Sequence, residues 1–194
     1  MRTPRARRGA PGTWAAGGAE RTSTDLKGLI RDVPDFPKRG IVFKDITPLL
    51  ADPRGFASAI EAMASPFEGQ GIAKVVGVES RGFLLAAPIA LRLGAGLVPV
   101  RKKGKLPFKT LRASYNLEYG EDALEINEDA LARGESTLIV DDVLATGGTA
   151  RAACELVERL GARVAGLTFL IELAFLGGSS KLKDRKASAA LTYR

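Results

Sequence analysis

Short apolar runs alternate with amphipathic segments along the chain from residue 25 onwards. Each run is only a few residues long and is bounded by glycine, proline or charge, which is typical of a buried strand. The pattern predicts strands over 73–78, 97–101, 137–140, 164–171 and 191–193. It predicts a short helix that begins at 24–27 and longer helices over 53–64, 82–93 and 149–160. The polar segments 35–40 and 102–116 are predicted to be loops.

This order of elements favours one α/β domain. Strands that alternate with helices form a central parallel sheet whose two faces are both covered by helices. The length of 194 residues is enough for one such domain. Because ligands bind beyond the carboxyl ends of parallel strands, we expect the functional residues directly after the strands.

The first 24 residues differ in composition from the rest of the chain. They contain five arginines and a single acid, Glu20, and they show no hydrophobic periodicity. We therefore expect a disordered basic tail over 1–24 and a folded domain over 25–194, with a transit peptide or a nucleic-acid-binding arm as alternatives for the tail. The tail carries +4 of the formal net charge of +7, which leaves +3 on the domain. That mild charge does not argue for a nucleic-acid partner, and it suits an enzyme with an anionic substrate if the charges are local to the site.

The amino-acid inventory excludes several classes of site. The chain has no histidine, which excludes Ser-His-Asp and Cys-His catalysis and His-ligated zinc. Its single cysteine, Cys154, cannot form an internal disulfide, so we expect a reducing compartment and a cytoplasmic location. No apolar stretch approaches the roughly 20 residues that cross a bilayer, so no membrane partner is expected.

The segment 138–149 has the features of a phosphate-binding loop. An apolar strand leads into a loop of small residues, and a helix follows. Gly147 and Gly148 allow the backbone to come close to a ligand, and the free N–H groups at the start of the helix favour an anion. Thr146 and Thr149 add hydroxyl donors. The segment is neither a Walker A loop, because it has no lysine, nor a G-x-G-x-x-G fingerprint.

Two adjacent acids, Asp141 and Asp142, stand between that strand and the loop. Carboxylates accept hydrogen bonds from vicinal hydroxyls such as those of a ribose. Acids beside a phosphate loop therefore predict a site for a sugar with a phosphate at one end. The alternative is a capped turn between a strand and a helix, with both acids exposed to solvent.

The segment resembles the phosphoribosyl pyrophosphate signature of the type I phosphoribosyltransferases. The resemblance implies that Asp141 and Asp142 bind the ribose hydroxyls. It implies that the 5′-phosphate binds to Ala145, Thr146, Gly147, Gly148 and Thr149. It also implies the fold of that family, a central parallel sheet flanked by helices, with a small hood and a flexible catalytic loop.

The segment 35–50 resembles the base pocket of the adenine-specific members of the family. The resemblance implies that the backbone at Val42 and Lys44 reads the adenine edge and that Phe43 packs on the ring. Packing in the core is the alternative role for Phe43. This segment departs from the family at Arg39, where proline is usual, and at Lys44, where arginine is common.

Two further segments resemble parts of the same family that act on pyrophosphate. The turn over 78–83 resembles the pyrophosphate loop, which implies binding by Ser80 and a catalytic role for Arg81. The basic segment 101–107 implies that Arg101 and Lys105 reach pyrophosphate in the neighbouring subunit's site, and hence that the protein is a homodimer. The alternative for Arg81 is a surface ion pair. The alternative for the basic segment 101–107 is a face exposed to solvent.

The segment 114–120 resembles the loop that closes over the site in this family. The resemblance implies that Glu118 and Tyr119 belong to the catalytic loop. Glu118 is the candidate for proton transfer, and a carboxylate is chemically reasonable there because the chain has no histidine.

The reaction implied by the resemblance joins adenine to phosphoribosyl pyrophosphate and gives AMP and pyrophosphate. We expect Mg²⁺ to bind mainly through phosphoribosyl pyrophosphate and pyrophosphate, and we predict no metal site built from protein ligands. A phosphoribosyltransferase for another purine base is one alternative, although the segment 35–50 argues against it. A regulatory protein that senses phosphoribosyl pyrophosphate is another, although a 24-residue tail is too short for a DNA-binding module.

Overall fold

A computed structural model of the chain describes residues 25–117 and 120–194. The strands are β1 (Arg31–Pro34), β2 (Val42–Asp45), β3 (Lys74–Val78), β4 (Gly96–Lys102), β5 (Thr110–Leu117), β6 (Gly120–Asn127), β7 (Ser136–Leu144), β8 (Arg163–Leu173) and β9 (Ala187–Tyr193). The α-helices are α1 (Thr47–Ala51), α2 (Pro53–Ala64), α3 (Arg81–Leu93) and α4 (Gly148–Arg159). Short 3-10 helices span Lys27–Leu29, Ser65–Phe67, Ala174–Leu176 and Gly178–Leu182.

Seven strands form the central sheet, in the order β5-β6-β4-β3-β7-β8-β9. Five neighbouring strands run parallel, in the order β4-β3-β7-β8-β9, whereas β5 and β6 form an antiparallel hairpin on the edge of β4. The predicted α/β fold with a mainly parallel sheet is therefore confirmed. Within the described ranges, no helix has both the length and the apolar character needed to cross a membrane.

Two apolar cores lie on opposite faces of this sheet. Val76 and Ile139 point into the core that contains α4, and their neighbours Val75 and Leu138 point into the core that contains α2 and α3. This separation follows from the alternation of side chains along a strand. Because both faces are covered, ligands have access to the parallel strands at their carboxyl ends.

The helix predicted over 53–64 is confirmed at both ends. Asp52 caps it, because its carboxylate accepts a hydrogen bond of 2.6 Å from the N–H of Gly55, and Pro53 occupies the first helical position. The predicted helices over 82–93 and 149–160 each begin one residue earlier, at Arg81 and Gly148.

The prediction of a loop over 102–116 is wrong for its second half. Residues from Thr110 onwards form β5, in which Leu111, Ala113 and Tyr115 are at least partly buried while Arg112 and Ser114 are exposed. This alternation is a strand signal that the polar composition of the segment concealed. The partner strand β6, the two strands β1 and β2, and the short helix α1 were also not predicted.

The strands β1 and β2 form a separate antiparallel ribbon, which we call the hood. The turn between them is the predicted loop over 35–40 and contains a cis peptide bond between Phe36 and Pro37. Asp35 has a φ of 57° and accepts a 2.6 Å hydrogen bond from the N–H of Gly40. At the other end of the ribbon, Asp45 accepts hydrogen bonds from Arg31 and from Thr47, which connects the hood to α1.

Candidate active site

A cavity of about 390 Å³ opens at the carboxyl ends of β3, β4 and β7. It is lined by Glu79, Ser80, Arg81, Lys102, Tyr115, Leu124, Asp141, Asp142 and Thr149. Five of these residues were predicted from the sequence, and they come from the separate segments 78–83 and 138–149. The cavity lies where a parallel sheet is expected to bind its ligand.

The two adjacent acids line this cavity together with Arg81. An oxygen of Asp142 is 2.7 Å from Nη2 of Arg81, and the N–H of Asp142 donates a 2.8 Å hydrogen bond to Oδ1 of Asp141. Gly82 at the start of α3 lies so close to β7 that a Cβ there would be 2.9 Å from Oδ1 of Asp141. Glycine at this position is therefore what lets α3 bring Arg81 to the acids.

Burial raises the pKa of both carboxyl groups. For Asp141 the neighbouring charge of Asp142 adds to the effect of burial, whereas for Asp142 the guanidinium of Arg81 opposes it. Oδ2 of Asp142 is buried and accepts no hydrogen bond from the described residues, although Arg81 is within ion-pair distance. A carboxylate oxygen has more than one lone pair, so the hydroxyl group of a ligand could donate to this oxygen in addition to its ion pair with Arg81. The alternative of exposed capping acids is therefore wrong.

The loop after the acids leads into the N-terminus of a helix, where an anion can bind. Ala145–Gly147 form a bend, Gly147 has a φ of 78°, and α4 begins at Gly148. A Cβ on Gly147 would be 2.6 Å from the carbonyl oxygen of Gly178, so the loop packs directly on the following 3-10 helix. Thr146 is exposed at the tip of the loop and Thr149 lines the cavity. Free N–H groups in the first turn of α4 suit a phosphate at this edge of the cavity.

Arg81 connects the hood to the acid pair. Its guanidinium carbon is 4.7 Å from the ring centroid of Phe43 on β2, while Nη2 reaches Asp142. Phe36 packs edge-on against Phe43, with 5.1 Å between the ring centroids. Phe43 is half-buried rather than part of the core, so a flat aromatic ligand could contact it beside the cavity.

The backbone of β2 has two positions turned away from β1. Pro34 pairs with Val42 and has no N–H to donate, while the N–H of Phe36 donates to the carbonyl of Ile41. Alternation in an antiparallel ladder then turns the N–H and C=O groups of Val42 and Lys44 away from β1. Nζ of Lys44 is 2.6 Å from Oδ1 of Asp32 in the hood, so its side chain is already paired there.

The predicted pyrophosphate residues of the 101–107 segment lie beside the cavity. Arg101 makes a two-point contact with Glu79, at 3.0 and 3.3 Å, and donates to the carbonyl of Lys105. Burial alone would raise the pKa of Glu79, but hydrogen bonds from Arg101 and from the N–H of Lys102 hold it below its usual value. Neither Arg101 nor Lys105 is among the described residues that line the cavity. Their role in a neighbouring site stays a prediction.

Glu79, Lys102, Tyr115 and Leu124 line the cavity but were not singled out from the sequence. The phenol of Tyr115 donates a 3.1 Å hydrogen bond to Asp122, whose carboxylate is 3.3 Å from Nζ of Lys102. Burial, followed by the contact with Asp122, raises the pKa of Tyr115 to about 12. The alternation along β5 was the signal that could have identified Tyr115.

Glu118 and Tyr119 lie outside the described residues, between the end of β5 and the start of β6. Their predicted roles in catalysis stay predictions.

Comparison with known proteins identifies close relatives. A family model described as "Phosphoribosyl transferase domain" matches residues 46–191. The adenine phosphoribosyltransferase of Myxococcus xanthus is 59% identical over 169 residues, which cover 87% of this chain and 92% of that protein. The adenine phosphoribosyltransferase of Geobacter metallireducens is 56% identical over 169 residues, covering 87% of this chain and 99% of that protein.

Solved structures of similar proteins give the same result. Adenine phosphoribosyltransferase from Rhodothermus marinus superimposes with a TM-score of 0.84 at 54% identity, covering 87% of this chain and 96% of that one. The enzyme from Saccharomyces cerevisiae, solved with adenine and an imino-altritol bisphosphate, gives a TM-score of 0.80 at 44% identity. That match covers 84% of this chain and 95% of the yeast chain.

The buried acid pair generates a prediction about stability. Because burial and Asp142 raise the folded-state pKa of Asp141 above its unfolded value, the group favours folding at low pH, and this contribution is lost as the pH rises through the folded pKa. We expect Asp141→Asn to raise Tm at pH 7. This gain in Tm should vanish as the pH falls towards about 4, the ordinary pKa of an aspartate side chain. Scanning calorimetry across this range measures the difference.

Asp129→Asn is the control, since it removes the same charge at an exposed position. An Asp141→Asn protein that melts at or below the wild-type temperature at pH 7 would contradict the prediction.

Proposed function

The chain belongs to the phosphoribosyl transferase family and, within it, to the adenine phosphoribosyltransferases, and we propose that its cavity joins adenine to the sugar of phosphoribosyl pyrophosphate. The products are AMP and pyrophosphate, so the chain is a pentosyltransferase of purine salvage. One observation carries the assignment of the site: Arg81 contacts both Phe43 of the hood and Asp142 of the acid pair. A base and a ribose bound at these two positions would be neighbours.

The sugar phosphate binds along the end of β7 and the start of α4. Asp141 and Asp142 accept the hydrogen bonds of the ribose hydroxyls, a role supported by the buried oxygen of Asp142 that accepts no hydrogen bond from the described residues. Backbone N–H groups and hydroxyls of the loop bind the 5′-phosphate. The residues of this loop are Ala145, Thr146, Gly147, Gly148 and Thr149.

The base binds under the hood. Phe43 packs on the adenine ring, and the outward backbone groups of Val42 and Lys44 form hydrogen bonds to its edge. A donor and an acceptor in fixed positions match the edge of adenine and oppose that of hypoxanthine, where an amino group is replaced by a carbonyl.

The reaction displaces pyrophosphate from the anomeric carbon. A bond forms between N9 of adenine and this carbon as the bond to the pyrophosphate oxygen breaks, and positive charge builds on the sugar ring. Ser80 and Arg81 bind the departing pyrophosphate, and Arg101 and Lys105 of the partner subunit assist them. Glu118 accepts the proton that N9 releases, and Tyr119 closes with it over the site so that water is excluded.

Mg²⁺ is the proposed cofactor. Among residues 25–117 and 120–194, no group of three or more His, Cys, Asp or Glu side chains is arranged to hold a metal. The chain fits the ion in another way, because Asp141 and Asp142 present carboxylate oxygens, the donors that Mg²⁺ prefers, beside the proposed ribose position. When bound, the ion neutralises charge on the leaving pyrophosphate.

The active form is proposed to be a homodimer. Leu84 and Leu91 lie two turns apart on α3 and are 51% and 77% exposed, and Leu97 on β4 is 46% exposed on the same side of the sheet. A second copy of the chain that covers this apolar face would contact α3 and β4. The helix α3 begins at Arg81, and β4 contains Arg101 near its end. This arrangement agrees with the implied action of Arg101 and Lys105 across a subunit boundary.

A cytoplasmic location is proposed for the enzyme. The chain has a single cysteine, Cys154, and so cannot form an internal disulfide, which accords with a reducing compartment such as the cytoplasm. Neither nucleic acid nor membrane is a proposed partner. Residues 1–24 are proposed to be a tail outside the catalytic domain.

The base preference tests the proposed function. Purified protein is supplied with Mg²⁺, phosphoribosyl pyrophosphate and each purine base in turn, and release of pyrophosphate is followed. We expect kcat/KM for adenine to exceed that for hypoxanthine or guanine by at least about a hundredfold, because each of those bases presents a mismatched edge. Comparable values for adenine and hypoxanthine would contradict the adenine assignment.

The assembly is tested by Leu91→Glu. A charge at the most exposed leucine of the α3 face should convert a wild-type dimer into a monomer with reduced activity, as measured by sedimentation velocity and the pyrophosphate assay. Leu176→Glu is the control, because Leu176 is also exposed and lies outside α3 and β4. Full activity in a wild-type monomer would contradict the proposal.

A further inference from the structure

Tyr193, the penultimate residue, contacts the hood from the end of β9. Nζ of Lys44 lies 4.2 Å from the centroid of the Tyr193 ring, and Nζ of Lys27 lies 5.1 Å from it. The side chain of Lys44 is only 13% exposed and also pairs with Asp32 at 2.6 Å. This ammonium is therefore held between an aromatic face and a carboxylate. The side chain of Asp32 is 55% exposed, so water screens the ion pair, whereas the low exposure of Lys44 itself favours the contact with the ring.

Phe43 and Lys44 are consecutive residues of β2, so their side chains project from opposite faces of the hood. Phe43 meets the guanidinium of Arg81 on the cavity side. Lys44 meets the ring of Tyr193 on the other side. The hood is thus held between two cation–π contacts, one to the cavity wall and one to the last strand of the sheet.

The ring of Tyr193 has a firm support. In the sheet, Tyr193 pairs with Leu173 of β8. The side chain of Tyr193 packs on the core that contains α2 and α3. The hood has little support of its own, because a two-stranded ribbon is only marginally stable without packing on other elements. The position of β2 relative to Arg81 therefore depends on the side chains of Lys44 and Phe43, together with the hydrogen bonds that connect Asp45 to Thr47 of α1.

We propose that Tyr193 is a positioning residue for the base site, which through Lys44 sets the height of Phe43 and of the β2 backbone above Arg81. This inference rests on the proposed function, because the hood is taken to bind adenine. Tyr193 contacts no substrate in this account. Loss of its ring should weaken the binding of the base and leave the binding of phosphoribosyl pyrophosphate unchanged, since the acids and the phosphate loop lie on β7 and α4.

The test compares Tyr193→Leu with Tyr193→Phe. Leucine keeps apolar volume but removes the aromatic face, whereas phenylalanine keeps that face. We expect Tyr193→Leu to raise KM for adenine about tenfold, the ratio that an ordinary cation–π contact supports, and to change KM for phosphoribosyl pyrophosphate less than about twofold. Tyr193→Phe should retain the wild-type KM for adenine. Arg194→Ala is the matched control at the adjacent exposed residue.

A second variant keeps the test decisive if Tyr193→Leu folds poorly. Lys44→Met removes the ammonium, keeps the backbone and should raise KM for adenine by a similar factor. The two effects on KM should be less than additive in the double variant, because both substitutions remove the contact between Lys44 and Tyr193.

Three outcomes would overturn the inference: an unchanged KM for adenine in Tyr193→Leu, an equal rise in both KM values, or independent effects in the double variant. Failure of the proposed function is distinguishable, because the wild-type chain itself would then transfer no phosphoribosyl group to adenine.

Discussion

Two adjacent carboxylates buried at the end of one strand are the constraint on which the rest of the site depends. Burial raises the pKa of Asp141 and Asp142, so the protein holds them there at a cost in folding free energy. The fold limits that cost with one cation, Arg81, which reaches the pair because Gly82 lets α3 start against β7. Such an arrangement is expected for a group that acts on a ligand rather than for one that stabilises the fold.

Arg81 also makes the cavity a single site rather than two adjacent ones. Its guanidinium contacts an acid of the sheet and an aromatic ring of the hood, so one side chain joins the two elements that border the site. Support for the hood comes from the far side, where Lys44 meets Tyr193. Base and sugar phosphate are therefore bound by separate elements, and one residue couples them.

The parts of the site that are local in sequence could be predicted from the sequence. The acids, the glycine loop and the start of α4 are consecutive, and the physical requirements of a phosphate loop are visible in that short segment. Val75 and Val76 predicted a buried strand, and the structure confirms the sheet that they help to form.

Contacts between distant segments could not be predicted in this way. The link from Lys102 through Asp122 to Tyr115 joins three strands, and the contact between Lys44 and Tyr193 joins the hood to the last strand. These residues become neighbours only when the strands pair in the folded sheet. In the sequence alone, a polar segment that contains charged residues predicts a loop. For the same reason the polar strand β5 was mistaken for a loop.

The claim that the buried acids bind the ribose is tested most directly by the affinity of Asp142→Asn for phosphoribosyl pyrophosphate. Calorimetric titration in the presence of Mg²⁺ gives Kd for wild type and variant, with Asp129→Asn as the control for loss of an exposed carboxylate. Asparagine keeps the shape but has no charge for the hydroxyl groups, so Kd should rise at least about tenfold while the protein stays folded. An unchanged Kd would show that the acid pair does not hold the sugar, and would contradict this account of the site.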